Sequence, residues 1–210
     1  MSELCTNLDD IRAAARRIAP HAHRTPELRC TALDSILDAK LSFKCENFQK
    51  VGAFKFRGAC NAVMSLQNAE LKRGVATHSS GNHAAALALA AKLAGSTAHI
   101  VMPSNASPIK KAAVAGYGAT ITFCEPTLLT SLGDLTFPIL QERCAGIVTV
   151  AEESIVEAMR LVWERMKIII EPSSAVPIAA LLEMRGQIPG QHVGVILSGG
   201  NVDLDGLPWR

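Results

Sequence analysis

The chain has 210 residues, 49% of them hydrophobic and 19% charged, with a formal net charge of +2. That is enough apolar material for one sizeable domain or for a larger and a smaller lobe, and it excludes a disordered chain. So small a charge, with no basic tract, argues against a nucleic-acid partner, and no apolar run is long enough to span a membrane.

The elements alternate along the chain. Leu8 to Ala19 reads as a helix, with Asn7 as its cap and Asp9 and Asp10 at its positive end. LSFKCE (41–46) reads as a strand and KFRGACNAVMSL (55–66) as a helix. GVATHS (74–79) is a second strand, followed by an alanine-rich helix from Asn82 to Ala94 that Gly95 ends. TAHIVM (97–102) is a strand stopped by Pro103. Pro108 to Tyr117 is a short helix, and ATITFC (119–124) a further strand. This alternation predicts parallel sheets with helices on both faces, an α/β fold whose ligands sit at the carboxyl ends of the strands.

The second half is less regular. Leu128 to Leu140 contains Gly133 and Pro138, and GIVTV (146–150) reads as a strand. Glu152 to Lys167 is a long amphipathic helix with Ile155, Met159, Val162 and Met166 on one face. Ala151 stands where a Ser or Thr would cap it, at a cost of about 1 kcal/mol, unless Thr149 caps a slightly earlier start. EPSSA (171–175) leads into a helix from about Ala175 to Met184, and the strand HVGVIL (192–197) ends in SGGN (198–201).

Six scattered cysteines (Cys5, Cys30, Cys45, Cys60, Cys124 and Cys144) suit neither a zinc site nor a disulfide framework. The first twelve residues, MSELCTNLDDIR, carry no charged-then-apolar signal pattern, so the cytoplasm is the expected compartment.

Three stretches place polar groups at strand ends. ATHSSGNH (76–83) joins a strand to a helix. Small polar residues there commonly do no more than cap, yet a helix N-terminus also offers donors and a positive dipole end to a carboxylate or phosphate. GAFKFRGA (52–59) sets Lys55 between Phe54 and Phe56. A single lysine at a helix start is ordinarily a solvated one, but an amine in partly apolar surroundings loses solvation and becomes a nucleophile toward carbonyls. Ser198, after the last strand, can donate to or accept from a heteroaromatic nitrogen.

KVGAFKFRGA (50–59), THSSGNHAAALALAAKLAG (77–95) and LSGGNVDL (197–204) together resemble the serine racemase and threonine/serine dehydratase family, pyridoxal phosphate enzymes of fold type II. FKCENFQKVGAFKFRGA, GYGATITFCEP and MRLVWERMKIIIEPSSA extend the resemblance over nearly the whole chain. It implies a two-lobed fold: residues 1–74 as the first part of a large lobe, 75–127 as a small lobe carrying the substrate loop, and 128–210 as the rest of the large lobe.

By resemblance, Lys55 matches the lysine that holds the cofactor covalently and then moves protons at the substrate α-carbon. Phe54 matches the aromatic residue near the pyridine ring. Ser79, Ser80, Gly81, Asn82 and His83 match the loop that grips the substrate carboxylate. Asn82 also matches the partner of the ring hydroxyl, and Ser80 the second acid/base. Ser198 matches the partner of the pyridine nitrogen, and Glu171 a carboxylate close to the cofactor. The implied activity is α,β-elimination of serine or threonine to a keto acid and ammonia, racemisation of serine, or both. The implied form is a cytoplasmic homodimer, with Mg2+ as a further family ligand.

One departure is large. Near Thr127–Leu128 the family carries roughly a hundred more residues, about three βαβ units. By resemblance that stretch holds the glycine run for the cofactor phosphate and the acidic residues of the cation site. The chain is therefore either a shortened active enzyme or a non-catalytic relative that binds a small anion or a partner subunit.

Overall fold

In the computed structural model, residues 6–126, 134–187 and 192–209 are described. Their elements, in chain order, are α1 (Leu8–Ile18), β1 (Glu27–Leu28), α2 (Thr31–Leu37), β2 (Lys40–Cys45), α3 (Lys55–Met64), α4 (Asn68–Leu71), β3 (Val75–His78) and α5 (Asn82–Leu93). Then follow β4 (Ala98–Pro103), α6 (Pro108–Gly116), β5 (Thr120–Cys124), α7 (Phe137–Arg143), α8 (Glu152–Met166), α9 (Pro172–Glu183) and β6 (His192–Leu197).

Two compact units form, one from residues 1–22 and 57–148, the other from 23–56 and 149–210. These limits differ from the sequence boundaries at 74 and 127. The reason is packing: Ala62 and Val63 of α3, Leu66 just after it and Glu70 of α4 share a cavity of about 370 Å³ with Val75, Ala76 and Leu87. Most of α3, and α4, thus join the unit formed by the strands that follow them.

In the first unit, Asn7 caps α1 as its sequence predicts. Its side chain accepts from the Asp9 and Asp10 N–H groups at 2.8 and 3.0 Å, and Asp10 accepts from the Asn7 N–H at 2.9 Å. The sheet is parallel throughout, in the order β3-β4-β5. Ala98, Ile100 and Met102 are buried on one face, against an α5 that is alanine along nearly all of its buried side. Alanine gives little side-chain entropy to lose and lets a helix approach closely. The other face carries Ala76, His99 and Thr120 in one row and His78, Val101 and Thr122 in the next, none of them buried.

The second unit has the order β1-β2-β6, with β2 and β6 parallel. Leu41, Phe43 and Cys45 of β2 stand level with Val193, Val195 and Leu197 of β6. Together with Ile155, Ala158, Met159 and Val162 of α8 and Ile178 and Ala179 of α9 they form the core. Each large side chain buried there contributes about 1.5–3 kcal/mol. Burial pushes the Cys45 thiol up to about 11, so it behaves as a core residue and not as a nucleophile. The five described cysteines are all free thiols.

Several sequence expectations need correction. Residues 146–150 form no strand: Ile147 is 85% and Val148 51% exposed, and no neighbouring strand pairs with them among the described residues. Helix α9 starts at Pro172, three residues early, because proline is well suited to a first helical turn. Thr149 does not cap α8, which starts after Ala151. Instead, Glu183 at the end of α9 accepts from the Ala151 N–H at 3.0 Å and from the Ser154 hydroxyl. The break near Thr127–Leu128, the start of the 128–140 stretch and Cys5 lie outside the described residues.

Candidate active site

Two clusters of candidate residues form, one in each unit. Phe54, Lys55, Glu171 and Ser198 belong to the second unit, and Ser79, Ser80, Gly81, Asn82 and His83 to the first.

In the second unit the KVGAFK loop is fastened to the SGGN loop. Val51 and Gly52 both adopt left-handed backbone, φ 57° and 68°. At Gly52 a Cβ would lie 2.7 Å from Asn201 Oδ1, so only glycine fits. Asn201 Nδ2 donates to the Val51 carbonyl at 2.7 Å, and the Gly200 N–H donates to the Gly52 carbonyl at 2.9 Å. The Phe54 N–H donates to the Ser198 carbonyl at 2.9 Å. The backbone at the start of α3, and hence Lys55, is tied directly to Ser198. The Lys55 ammonium lies 5.3 Å from the centre of the Phe54 ring. The apolar surroundings expected for Lys55 reduce to that one ring, since Lys55 itself is exposed and Phe56 is buried in the core.

Ser174 is the residue that sequence reasoning missed. It is fully buried, and its hydroxyl donates to the Gly199 carbonyl at 2.6 Å and accepts from the Gly199 N–H at 2.7 Å. It also lies 3.0 Å from Ser198 Oγ. Its signal was the serine pair after Glu171-Pro172, at a helix start. Glu171, also buried, accepts from the Ser173 hydroxyl at 2.9 Å and from the Asn201 N–H at 3.2 Å, so its carboxylate braces the SGGN loop. At Gly200 a Cβ would stand 2.9 Å from the Ile169 carbonyl, and Asn47 Nδ2 donates to that same carbonyl at 3.0 Å.

In the first unit, β3 runs into the SSGNH loop and the loop into α5. The Ser79 N–H donates to the Val101 carbonyl at 3.0 Å, and Ser79 Oγ accepts from the Gly81 N–H at 3.3 Å. Gly81 occupies the cap position of α5 with φ −170° and ψ −115°, and offers no side chain of its own. Ser80 is exposed, Ser79, Asn82 and His83 are half-buried, and Gly81 is buried.

The second unit thus carries a primary amine and a serine hydroxyl held by a second serine, and the first unit a polar helix start after a strand. The comparisons with known proteins give the class. The model of the pyridoxal-phosphate dependent enzyme family matches residues 18–131 and 125–199. A serine racemase of Dictyostelium discoideum is 33% identical over 311 aligned positions, spanning 95% of this chain and 96% of that protein. A beta-hydroxyaspartate dehydratase of Paracoccus denitrificans is 33% identical over 309 positions, spanning 96% and 98%. Among solved structures, the Dictyostelium discoideum serine racemase matches with a TM-score of 0.89 at 34% identity, covering 95% of this chain and 99% of that one. A threonine deaminase from T.th. matches with a TM-score of 0.88 at 29% identity, with the same coverage.

The chain belongs to the pyridoxal-phosphate dependent enzyme family. The alignments run over more positions than its 210 residues, so these relatives carry internal residues that it lacks. The two matched pieces meet at residues 125–131, which include Thr127 and Leu128.

The residues fit the ring and aldehyde of the family's cofactor. Ser198 can donate or accept, and Lys55 is a primary amine beside an aromatic ring. Three of the four SGGN amides are already engaged, Gly199 with Ser174, Gly200 with Gly52 and Asn201 with Glu171, so the loop offers little to a phosphate. Among the described residues no group of three or more His, Cys, Asp and Glu could hold a metal, and no helix is long and apolar enough to cross a membrane.

Proposed function

We propose that the chain acts on serine or threonine, by elimination to the keto acid and ammonia, by racemisation of serine, or by both. The observation that carries this is the bond from the Phe54 N–H to the Ser198 carbonyl, which joins the Lys55 segment to the residue whose hydroxyl is assigned to the ring nitrogen. Pyridoxal phosphate, when bound, withdraws electron density from the substrate α-carbon. On this reading Lys55 Nζ holds the cofactor and takes the α-proton, and Ser80 Oγ is the second proton carrier. Phe54 packs by the ring, and Asn82 takes its hydroxyl. The Ser79–His83 loop fixes the carboxylate at the N-terminus of α5. A serine rather than a carboxylate at the ring nitrogen leaves the ring less protonated and tempers its electron demand. Glu171 acts by holding the loop that bears Ser198. Loss of the β-hydroxyl as water leaves an enamine, whose imine tautomer takes up a water to give the keto acid and ammonia; return of a proton on the opposite face inverts the centre.

The same reading includes a cytoplasmic homodimer; Mg2+ is a ligand of the family whose acidic residues, by resemblance, belong to the stretch this chain lacks. The family relationship and the intact Lys55, Ser80, Asn82 and Ser198 support it. The test is borohydride reduction after incubation with pyridoxal phosphate, followed by intact mass and peptide mapping, alongside assays of keto acid and D-serine. One adduct at Lys55, with turnover lost in Lys55→Ala, is the expected result. No adduct on the folded chain would overturn it in favour of a non-catalytic anion or partner binder.

A further inference from the structure

The SSGNH loop has a neighbour that its motif does not contain. Lys110 is the third residue of α6, and its side chain lies along Gly81. A Cβ at Gly81 would meet Lys110 Cδ at 3.2 Å, Cε at 3.3 Å and Nζ at 3.5 Å. The flexible end of the Lys110 side chain thus packs against Gly81.

We propose that Lys110 is a positioning residue for the substrate carboxylate, supplying the full positive charge that the loop itself lacks. The inference rests on the reading of Ser79–His83 as the carboxylate loop. A helix N-terminus contributes only about half an elementary charge, and falls short of balancing a carboxylate. The Lys110 ammonium reaches the rim of that loop and makes no hydrogen bond or ion pair among the described residues. The adjacent Lys111 is engaged elsewhere: its Nζ donates to the Ser104 carbonyl at 2.6 Å and lies 5.3 Å from the Phe123 ring centre. Lys110 is also badly placed for its own helix, since a cation in the first turn opposes the α6 dipole. A half-buried charge beside a buried glycine is screened less than one in open water, so it acts on a bound anion with more than surface strength.

The test uses the whole protein with Lys110→Met, which keeps the apolar arm, Lys110→Arg, which keeps the charge, and Lys111→Met as control. Malonate, a carboxylate probe, is titrated calorimetrically, KM and kcat are measured with L-serine, and the borohydride adduct at Lys55 is mapped in parallel. Lys110→Met is expected to weaken malonate binding and raise KM about tenfold, with kcat nearly unchanged. Lys110→Arg should retain most of the affinity, and Lys111→Met all of it. An adduct at Lys55 with unchanged malonate affinity in Lys110→Met overturns the Lys110 assignment alone. No adduct, with malonate binding lost in Lys110→Met, overturns the proposed reaction and leaves Lys110 as an anion-binding residue. A wild-type protein that does not bind malonate overturns the inference outright.

Discussion

The two units solve the same problem in different ways. Each has a three-stranded sheet with one apolar face under helices. In the first unit the strands and helices that pack together follow one another in sequence, and alanine fills the contact. In the second, the sheet and its loops join segments over a hundred residues apart: Asn47 with Ile169, Val51 with Asn201. Local contacts form at small entropic cost, whereas distant ones must offset the closing of a long loop. The second unit offsets it with large buried side chains and a dense polar network. Its Lys55 and Ser198 loops are thus held by long-range packing, while the SSGNH loop of the first unit is held by one strand end and one helix start.

Matched substitutions put that contrast to the test. Phe43 is fully buried in the second unit and Phe123 is 54% exposed in the first. Phe43→Ala should cost about 3–5 kcal/mol in chemical unfolding. Phe123→Ala should cost less than about 1 kcal/mol, mostly the lost contact with the Lys111 ammonium. Equal losses at the two positions would erase the difference between the units.

Ser174→Ala should cost about 1–3 kcal/mol, because the Gly199 N–H and carbonyl lose a buried partner. It should also weaken cofactor loading through Ser198, whose hydroxyl Ser174 touches. Ser173→Ala, one residue away, serves as the control, and an equal loss there would deny Ser174 its special role.

The smallest effect concerns Glu183. Hydrogen bonds from the Ser154 hydroxyl and the Ala151 N–H hold its carboxyl below the usual carboxylate value. Its stabilisation is therefore complete above that usual value and fades as the pH falls through the lowered one. Glu183→Gln should lower the melting temperature slightly at neutral pH and leave it unchanged in acid. A difference that persists in acid would show that the carboxylate charge is not what caps α8.

Much of this was legible in the residues. The period of Ile155, Met159 and Val162 announced α8, and Asn7 with Asp10 announced the start of α1. The motifs around Lys55, Ser80 and Ser198 pointed to the family that the comparisons gave. Less legible were the short elements β1 and α2, where two and seven residues leave too little periodicity to read. GIVTV looked like a strand because composition reports a taste for pairing and not the presence of a partner.

By itself the sequence determined the alternation of strands and helices, the family, and which residues carry reactive groups, since all of these depend on local order and side-chain chemistry. Only the tertiary structure decided that Ser174 locks Gly199, that Glu183 caps a helix it does not belong to, and that the Lys110 side chain lies along Gly81. Each of those joins residues that are far apart along the chain, and the packing of whole elements, rather than any local preference, sets such distances.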